Sequence, residues 1–84
     1  MSVAIRDVTH HARDGWRAEA GEGNPYLFSS SAWCAWQVGR FLADTGKPMP
    51  DSAFVARGCK VRIGLTYYFV AKDGAVSVST TPPT

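Results

Sequence analysis

The chain has 84 residues, 45% of them hydrophobic, and a formal net charge of +2. This length allows one domain with a single modest core, and the hydrophobic content excludes intrinsic disorder. The small net charge excludes strong long-range attraction to a polyanion unless the basic residues cluster.

No targeting or membrane-spanning segment is expected. Arg6 and Asp7 follow the short apolar start at once, and no apolar run approaches the roughly 18 residues of a membrane helix. We therefore expect a cytoplasmic protein that does not contact a membrane. In that reducing compartment Cys34 and Cys59 are predicted to be separate thiols that pack as small hydrophobes, with a structural disulfide as the alternative.

The first predicted element is a helix that Asp7 or Thr9 caps and that continues to about Ala20. The glycines that follow end this helix, and residues 21–28 are predicted to form a loop. The apolar side of the helix has a spacing of four residues, at Val8, Ala12, Trp16 and Ala20.

The second predicted helix begins at Ser29 or Ser30 and ends near Asp44 or Thr45, with Gly46 as its C-terminal cap. Its surface is mostly apolar, so we expect the rest of the protein to cover most of it. One narrow stripe of this helix is polar instead, and it consists of Ser30, Trp33, Gln37, Arg40 and Asp44.

Beyond two prolines, Asp51 or Ser52 could cap a short third helix that ends at Arg57. Residues 60–71 then alternate between apolar and polar types, which predicts a single strand. One of its faces would carry Val61, Ile63, Leu65, Tyr67 and Phe69, and the other Lys60, Arg62, Thr66 and Tyr68.

The adjacent Asp73 and Gly74 are typical of a two-residue hairpin turn. Such a turn would bring a second strand against the first, and residues 3–6 could add an edge strand because a two-stranded ribbon alone is marginal. The register expected from this turn pairs Ala71 with Val76 and Phe69 with Val78.

Together these elements predict an α+β fold in a single domain. A two-helix hairpin over residues 12–46, with the short third helix as an option, is expected to pack against a β-hairpin over residues 59–80. Ala18 and Gly39 are expected to mark a close crossing of the two helices, because small residues let helix backbones approach.

Residues 12–41 resemble the ribosome modulation factor family of short bacterial and phage proteins. The resemblance rests on small residues at every third position, on the Asn24, Pro25, Tyr26 segment, and on Ala35 and Trp36 followed by Gly39 and Phe41. It implies a small helical protein that contacts ribosomal RNA. Asn24 stands where that family has cysteine, and the hairpin has no counterpart in it. The positions that match are Gly15, Ala18, Gly21, Pro25, Tyr26, Trp36 and Gly39.

The sequence predicts no enzymatic activity, no metal site and no cofactor. A phosphate-binding glycine-lysine motif is missing, although some members of the resembled family are credited with phosphorylating fluoroquinolones. His10 and His11 are adjacent and would point in different directions on a helix, which does not suit one metal ion. Cys34 lies in an apolar helix, where a thiol is typical of core packing.

Two groups of residues are candidates for binding RNA or a protein partner. Trp33 and Arg40 share one helix face, where an exposed ring beside a base could stack on a nucleobase; alternatively, the loop near Tyr26 or the hairpin covers Trp33. The second group could contact RNA or could be a solvated face whose charges discourage sheet aggregation. It consists of Arg57, Lys60, Arg62 and Tyr68.

We therefore expect a small non-enzymatic modulator of translation that binds the ribosome or ribosomal RNA. One alternative is a phage-encoded inhibitor that binds a host protein complex, such as a defence nuclease, for which a modest charge suffices. The other is a winged-helix DNA-binding protein, whose recognition helix would be residues 51–57.

Overall fold

The computed structural model describes residues 6–19, 21–55 and 60–79. Within these ranges the chain forms two helices and five strands, which confirms the predicted α+β class. The elements are, in chain order, β1 (Arg6–Asp7), α1 (Thr9–Arg17), α2 (Ser31–Asp44), β2 (Phe54–Val55), β3 (Lys60–Ile63), β4 (Thr66–Val70) and β5 (Val76–Ser79).

Helix α2 begins and ends where its capping residues predict. Ser30 Oγ accepts a hydrogen bond from the N–H of Trp33 (3.1 Å), which satisfies one of the unpaired donors of the first turn. At the other end Gly46 has a φ of 76°, and the N–H of Lys47 donates to the carbonyl of Leu42 (2.8 Å). This left-handed glycine closure ends the helix.

Helix α1 begins at Thr9 with Val8, and not the predicted Asp7 or Thr9, as its N-cap residue, and it is shorter than predicted. Asp7 Oδ1 accepts hydrogen bonds from the N–H (3.0 Å) and the hydroxyl (2.6 Å) of Thr9. The helix ends at Arg17 instead of near Ala20, since Ala18 is extended with a ψ of 147°. The Ala18 carbonyl accepts a hydrogen bond from Arg40 on α2. A tertiary hydrogen bond thus satisfies this carbonyl at the end of the helix.

The two helices cross through small residues. A Cβ on Gly39 would overlap the backbone carbonyl of Ala12, and a Cβ on Gly15 would overlap that of Trp36. These reciprocal contacts run in opposite chain directions, so the helices are antiparallel. The prediction that Gly39 lies at a close crossing is confirmed. Ala18 lies beyond the end of α1, and Gly15 is the crossing residue on that helix.

The prediction of a short helix from Asp51 onwards is wrong for the described residues, because Phe54–Val55 forms strand β2. Ala53, just before this strand, bonds to the start of α1. Its carbonyl accepts from the N–H of Val8 (2.8 Å), and its N–H donates to Thr9 Oγ1 (3.0 Å). Short helices depend on packing, and here the tertiary hydrogen bonds favour an extended chain.

The strands form one antiparallel sheet in which each strand pairs with its neighbours in the chain. β1 is an edge strand that pairs with β2; of the edge strand predicted over residues 3–6 it contains Arg6, and residues 3–5 lie outside the described ranges. The helical pair is therefore inserted between two adjacent strands of the sheet, β1 and β2.

The single strand predicted over residues 60–71 is wrong, because the chain reverses in its middle. Gly64, with a φ of 63°, and Leu65 form a two-residue turn between β3 and β4. Glycine is typical of the first position in such a turn, where φ must be positive. Ile63 lies opposite Thr66. The two faces of β4 are therefore exchanged relative to the predicted ones.

The hairpin predicted at Asp73 and Gly74 is present, but its register differs by one residue. Ala71 N–H donates to the carbonyl of Ala75 (2.8 Å), which makes the loop longer than the expected two residues, and Gly74 has a φ of 89°. A glycine in this conformation is typical of three-residue loops. The observed pairs are Val70 with Val76, Phe69 with Ser77, and Tyr68 with Val78.

The core lies between the helices and one face of the sheet, which we call the inner face. Cys34 belongs to this core and is disulfide-bonded, so the prediction of two separate thiols is wrong for it; Cys59 lies outside the described ranges. Neither helix of the described chain is long and apolar enough to cross a membrane. The buried core residues include Val8, Ala12, Trp33, Val38, Leu42, Val55, Val61 and Tyr68.

Candidate nucleic-acid interface

The opposite side of the sheet carries aromatic and basic side chains in alternation. Val55, Val61 and Tyr68 are buried on the inner face, so their neighbours along each strand point to the other side. We call that side the aromatic-basic face. Its members, brought together from strands β2, β3 and β4, are Phe54, Lys60, Arg62, Tyr67 and Phe69.

The cations of this face lie against its rings. Lys60 Nζ is 5.3 Å from the centre of the Phe69 ring and 5.8 Å from that of Tyr67. The Arg62 guanidinium carbon is 5.7 Å from the centre of the Phe54 ring. Each distance is within the range of a cation–π contact. The Phe69 side chain is nevertheless 41% exposed, and Arg62 is exposed as well. The rings are therefore partly shielded by the cationic side chains, and Phe69 is accessible to a ligand.

Charge is distributed unevenly across the face. Asp7 lies at its β1 end, directly opposite Phe54. Asp7 puts a negative charge at that end, and the hydrogen bonds from the hydroxyl and the N–H of Thr9 lower the pKa of its carboxyl further. Lys60 and Arg62 lie on β3, at the middle of the sheet. A polyanion would therefore be attracted to the β3–β5 side of the face and repelled from its β1 edge.

Two of the predicted binding residues, Lys60 and Arg62, lie together on this face, whereas Tyr68 does not. Tyr68 is 5% exposed on the inner face, with its ring centre 6.2 Å from that of Phe41. Burial raises the pKa of its phenol. Its neighbour Tyr67 takes the place that was predicted for Tyr68, because the turn at Gly64 exchanges the faces of β4.

The side chains of Trp33 and Arg40 make contacts within the protein. Trp33 is 9% exposed, and Phe28 packs edge-on against its ring at 4.9 Å between centres. The alternative in which the loop covers Trp33 is therefore the correct one. Arg40 donates to Asp44 Oδ1 from Nη2 (2.7 Å) and also to the Ala18 carbonyl, so its guanidinium holds the two helices together. Arg57 lies outside the described ranges.

The segment that carries the family resemblance is also structural. Asn24 Oδ1 accepts from the N–H of Tyr26 (3.0 Å), and its amide donates to Gln37 Oε1 (3.0 Å). The amide of Gln37 in turn donates to the Gly74 carbonyl (3.0 Å) in the β4–β5 turn. This chain of bonds connects the helix–helix loop with the sheet through α2 and fixes the orientation of the hairpin.

Sequence reasoning missed Phe54, Tyr67 and Phe69 as members of the candidate site. The signal that could have found them is Gly64, since a glycine flanked by two alternating runs is compatible with a tight turn. The described ranges contain no cluster of three or more histidine, cysteine or acidic side chains that could hold a metal ion.

No family model, no curated protein and no solved structure matches this chain.

Proposed function

We propose that the protein binds single-stranded RNA through the aromatic-basic face. The observation that supports this most directly is the alternation of three aromatic rings with two cations on one side of a sheet. Unpaired bases stack on aromatic rings whatever their sequence, and neighbouring cations bind the phosphates between them. Clustering on one face also explains how a chain with a net charge of only +2 could bind a polyanion.

A single strand suits this protein better than duplex DNA. Readers of the major groove insert a helix that presents basic and polar side chains. Arg13 of α1 donates instead to the carbonyls of Pro50 (3.1 Å) and Asp51 (3.2 Å), and α2 is buried over most of its length. The winged-helix alternative also required a recognition helix from Asp51, where the described chain is not helical.

Ribosomal RNA is the proposed source of the single strand. This step is supported by the resemblance of residues 12–41 to the ribosome modulation factor family. The shared positions Gly15 and Gly39 build the helix crossing, so they account for a common scaffold and not for a common ligand. In this proposal the sheet supplies the RNA-binding surface, and the protein acts as a non-enzymatic modulator of translation.

A second candidate function is binding to a protein, and the helix–helix loop favours it. Leu27 is 81% exposed and Phe28 is 57% exposed, and the next residue, Ser29, has a φ of 67°. Large exposed apolar side chains on a backbone with positive φ are found at binding loops, where strain is maintained by the surrounding structure. An inhibitor of a host protein complex could use this loop as its anchor.

Binding of a labelled oligouridine, measured by fluorescence anisotropy at several salt concentrations, tests the first proposal. We expect Phe69→Ala and Tyr67→Ala each to weaken binding by about 1 to 3 kcal/mol, the contribution of one stacked base. Lys60→Gln should reduce the slope of log affinity against log salt by about 0.7, the value for one phosphate contact on a single strand.

Two exposed residues outside the face provide matched controls. Leu65→Ala removes an apolar side chain that is 89% exposed at the β3–β4 turn, and Lys72→Gln removes a charge at the β4–β5 turn. Both should bind as the wild type does. Co-sedimentation with purified ribosomes then tests the source of the RNA. Absence of binding to oligouridine and to ribosomes at low salt would refute the proposal and leave protein binding through Leu27 and Phe28 as the leading function.

A further inference from the structure

The aromatic-basic face is organised in two parallel rows that cross β3, β4 and β5. In the first row Lys60 lies opposite Phe69, which lies opposite Ser77. In the second row Arg62, Tyr67 and Ser79 have the same order. Each row thus places a cation on β3, a ring on β4 and a serine on β5.

The order within a row matches the order of groups in a nucleotide. A phosphate bound at Lys60 would leave the attached base over the Phe69 ring and its hydrogen-bonding edge above β5. Adjacent strands are about 4.8 Å apart, so the β3 and β5 positions of a row are separated by roughly 10 Å. Ser77 is exposed there and carries a hydroxyl that can donate to, or accept from, a base edge.

The spacing between the rows determines how two neighbouring bases can lie. Phe69 and Tyr67 are two residues apart on β4, so their rows are separated by about 6.6 Å along the strand. Successive nucleotides of one duplex strand advance by only about 3.4 Å. Two neighbouring bases that occupy both rings must therefore separate from each other before they stack on the protein.

We propose that the face selects pyrimidine-rich RNA, which it binds unstacked with one nucleotide on each row, the phosphates over β3 and the base edges over β5. This inference rests on the proposed binding of single-stranded RNA. Purines stack strongly on each other and oppose the required separation, whereas uridines do not, and preferences for pyrimidine runs arise from such differences in stacking. In the first row, Ser77 is the residue that contacts the base edge.

Oligouridine and oligoadenosine of equal length, titrated at one salt concentration, test the base preference. We expect oligouridine to bind several-fold more tightly, and the circular dichroism signal of stacked oligoadenosine to fall as the protein binds it. Equal or tighter binding of oligoadenosine with its stacked signal intact would overturn the inference. If Phe69→Ala still weakens both oligomers in that case, the proposed function stands; if neither oligomer binds the wild type, both proposals fail.

Ser77→Ala tests the orientation, and Ser77→Thr is its matched control because it keeps the hydroxyl. One hydrogen bond corresponds to about a 2- to 10-fold change in affinity. We expect Ser77→Ala to lose affinity for oligouridine by that factor with an unchanged salt slope, and Ser77→Thr to retain it. A Ser77→Ala variant with wild-type affinity and wild-type base preference would show that the base edges do not lie over β5.

Discussion

The inner face of the sheet and the aromatic-basic face behind it use similar side chains under different constraints. Tyr68 and Tyr67 are neighbours on β4, yet the first is buried against the helices and the second lies beside a cation on the open side. On the inner side Val55, Val61 and Tyr68 are buried against the helices, so changes at these positions should affect folding. On the other side the rings are only partly covered, so changes should affect binding and leave folding almost intact.

The largest effect on stability is expected from truncating the tryptophans of α2. Trp36 is 3% exposed and Trp33 is 9% exposed, and replacing such a side chain by alanine costs about 3 to 5 kcal/mol in unfolding free energy. We expect Trp36→Ala and Trp33→Ala to be comparably destabilised in urea melts. An exposed Trp33 ring, which was one of the two alternatives left open by the sequence, would instead predict a Trp33→Ala variant that folds nearly normally.

Leu27→Ala is the control for this pair, because Leu27 is exposed and its removal should change the unfolding free energy by no more than about 0.5 kcal/mol. If Trp33→Ala had the same unfolding free energy as Leu27→Ala, the contact between Phe28 and Trp33 would not contribute to the core.

A smaller loss of stability is expected from adding a methyl group at the helix crossing. The Cβ of Gly39→Ala would overlap the Ala12 carbonyl, and because that obstacle is backbone, one of the helices must shift. Such overpacking costs about 1 to 3 kcal/mol. Gly23→Ala is the matched control, since nothing lies near its added Cβ and its φ is outside the left-handed region. Equal urea midpoints for the two variants would contradict a close crossing.

The parts of the fold that could be predicted are those that depend on local chemistry. Ser30 caps α2 and Gly46 closes it through hydrogen bonds within a few residues of each helix end, so the sequence alone carries the information. The crossing at Gly39 was also predictable, because a small residue on an apolar helix lets another helix backbone approach closely. The end of α1 was not predictable in this way, because the polar partner of the Ala18 carbonyl is Arg40 on α2, which is distant in the sequence.

The candidate site was predicted only in part for a related reason. Alternation specifies which residues share a face but not where the chain turns, and one turn at Gly64 moves Tyr67 and Phe69 to the side of Lys60. The same limitation produced the helix predicted from Asp51, where the hydrogen bonds between Ala53 and the distant residues Val8 and Thr9 favour a strand. Local pattern was therefore sufficient for Lys60 and Arg62 and insufficient for the rings that accompany them.

The smallest effect on stability is expected from removing the hydroxyl of Tyr68, and this effect should appear only at alkaline pH. Burial raises the pKa of this phenol, so the folded protein retains the proton more strongly than the unfolded chain does. Its effect on stability is therefore constant below the unfolded pKa of about 10, and stability is lost as the pH rises above that value. Tyr68→Phe cannot ionise, so its stability should decline less steeply than that of the wild type above this pH. Urea melts of both proteins at neutral and alkaline pH measure the difference, and curves that remain parallel throughout would show that the phenol is hydrated and that the inner face is open at β4.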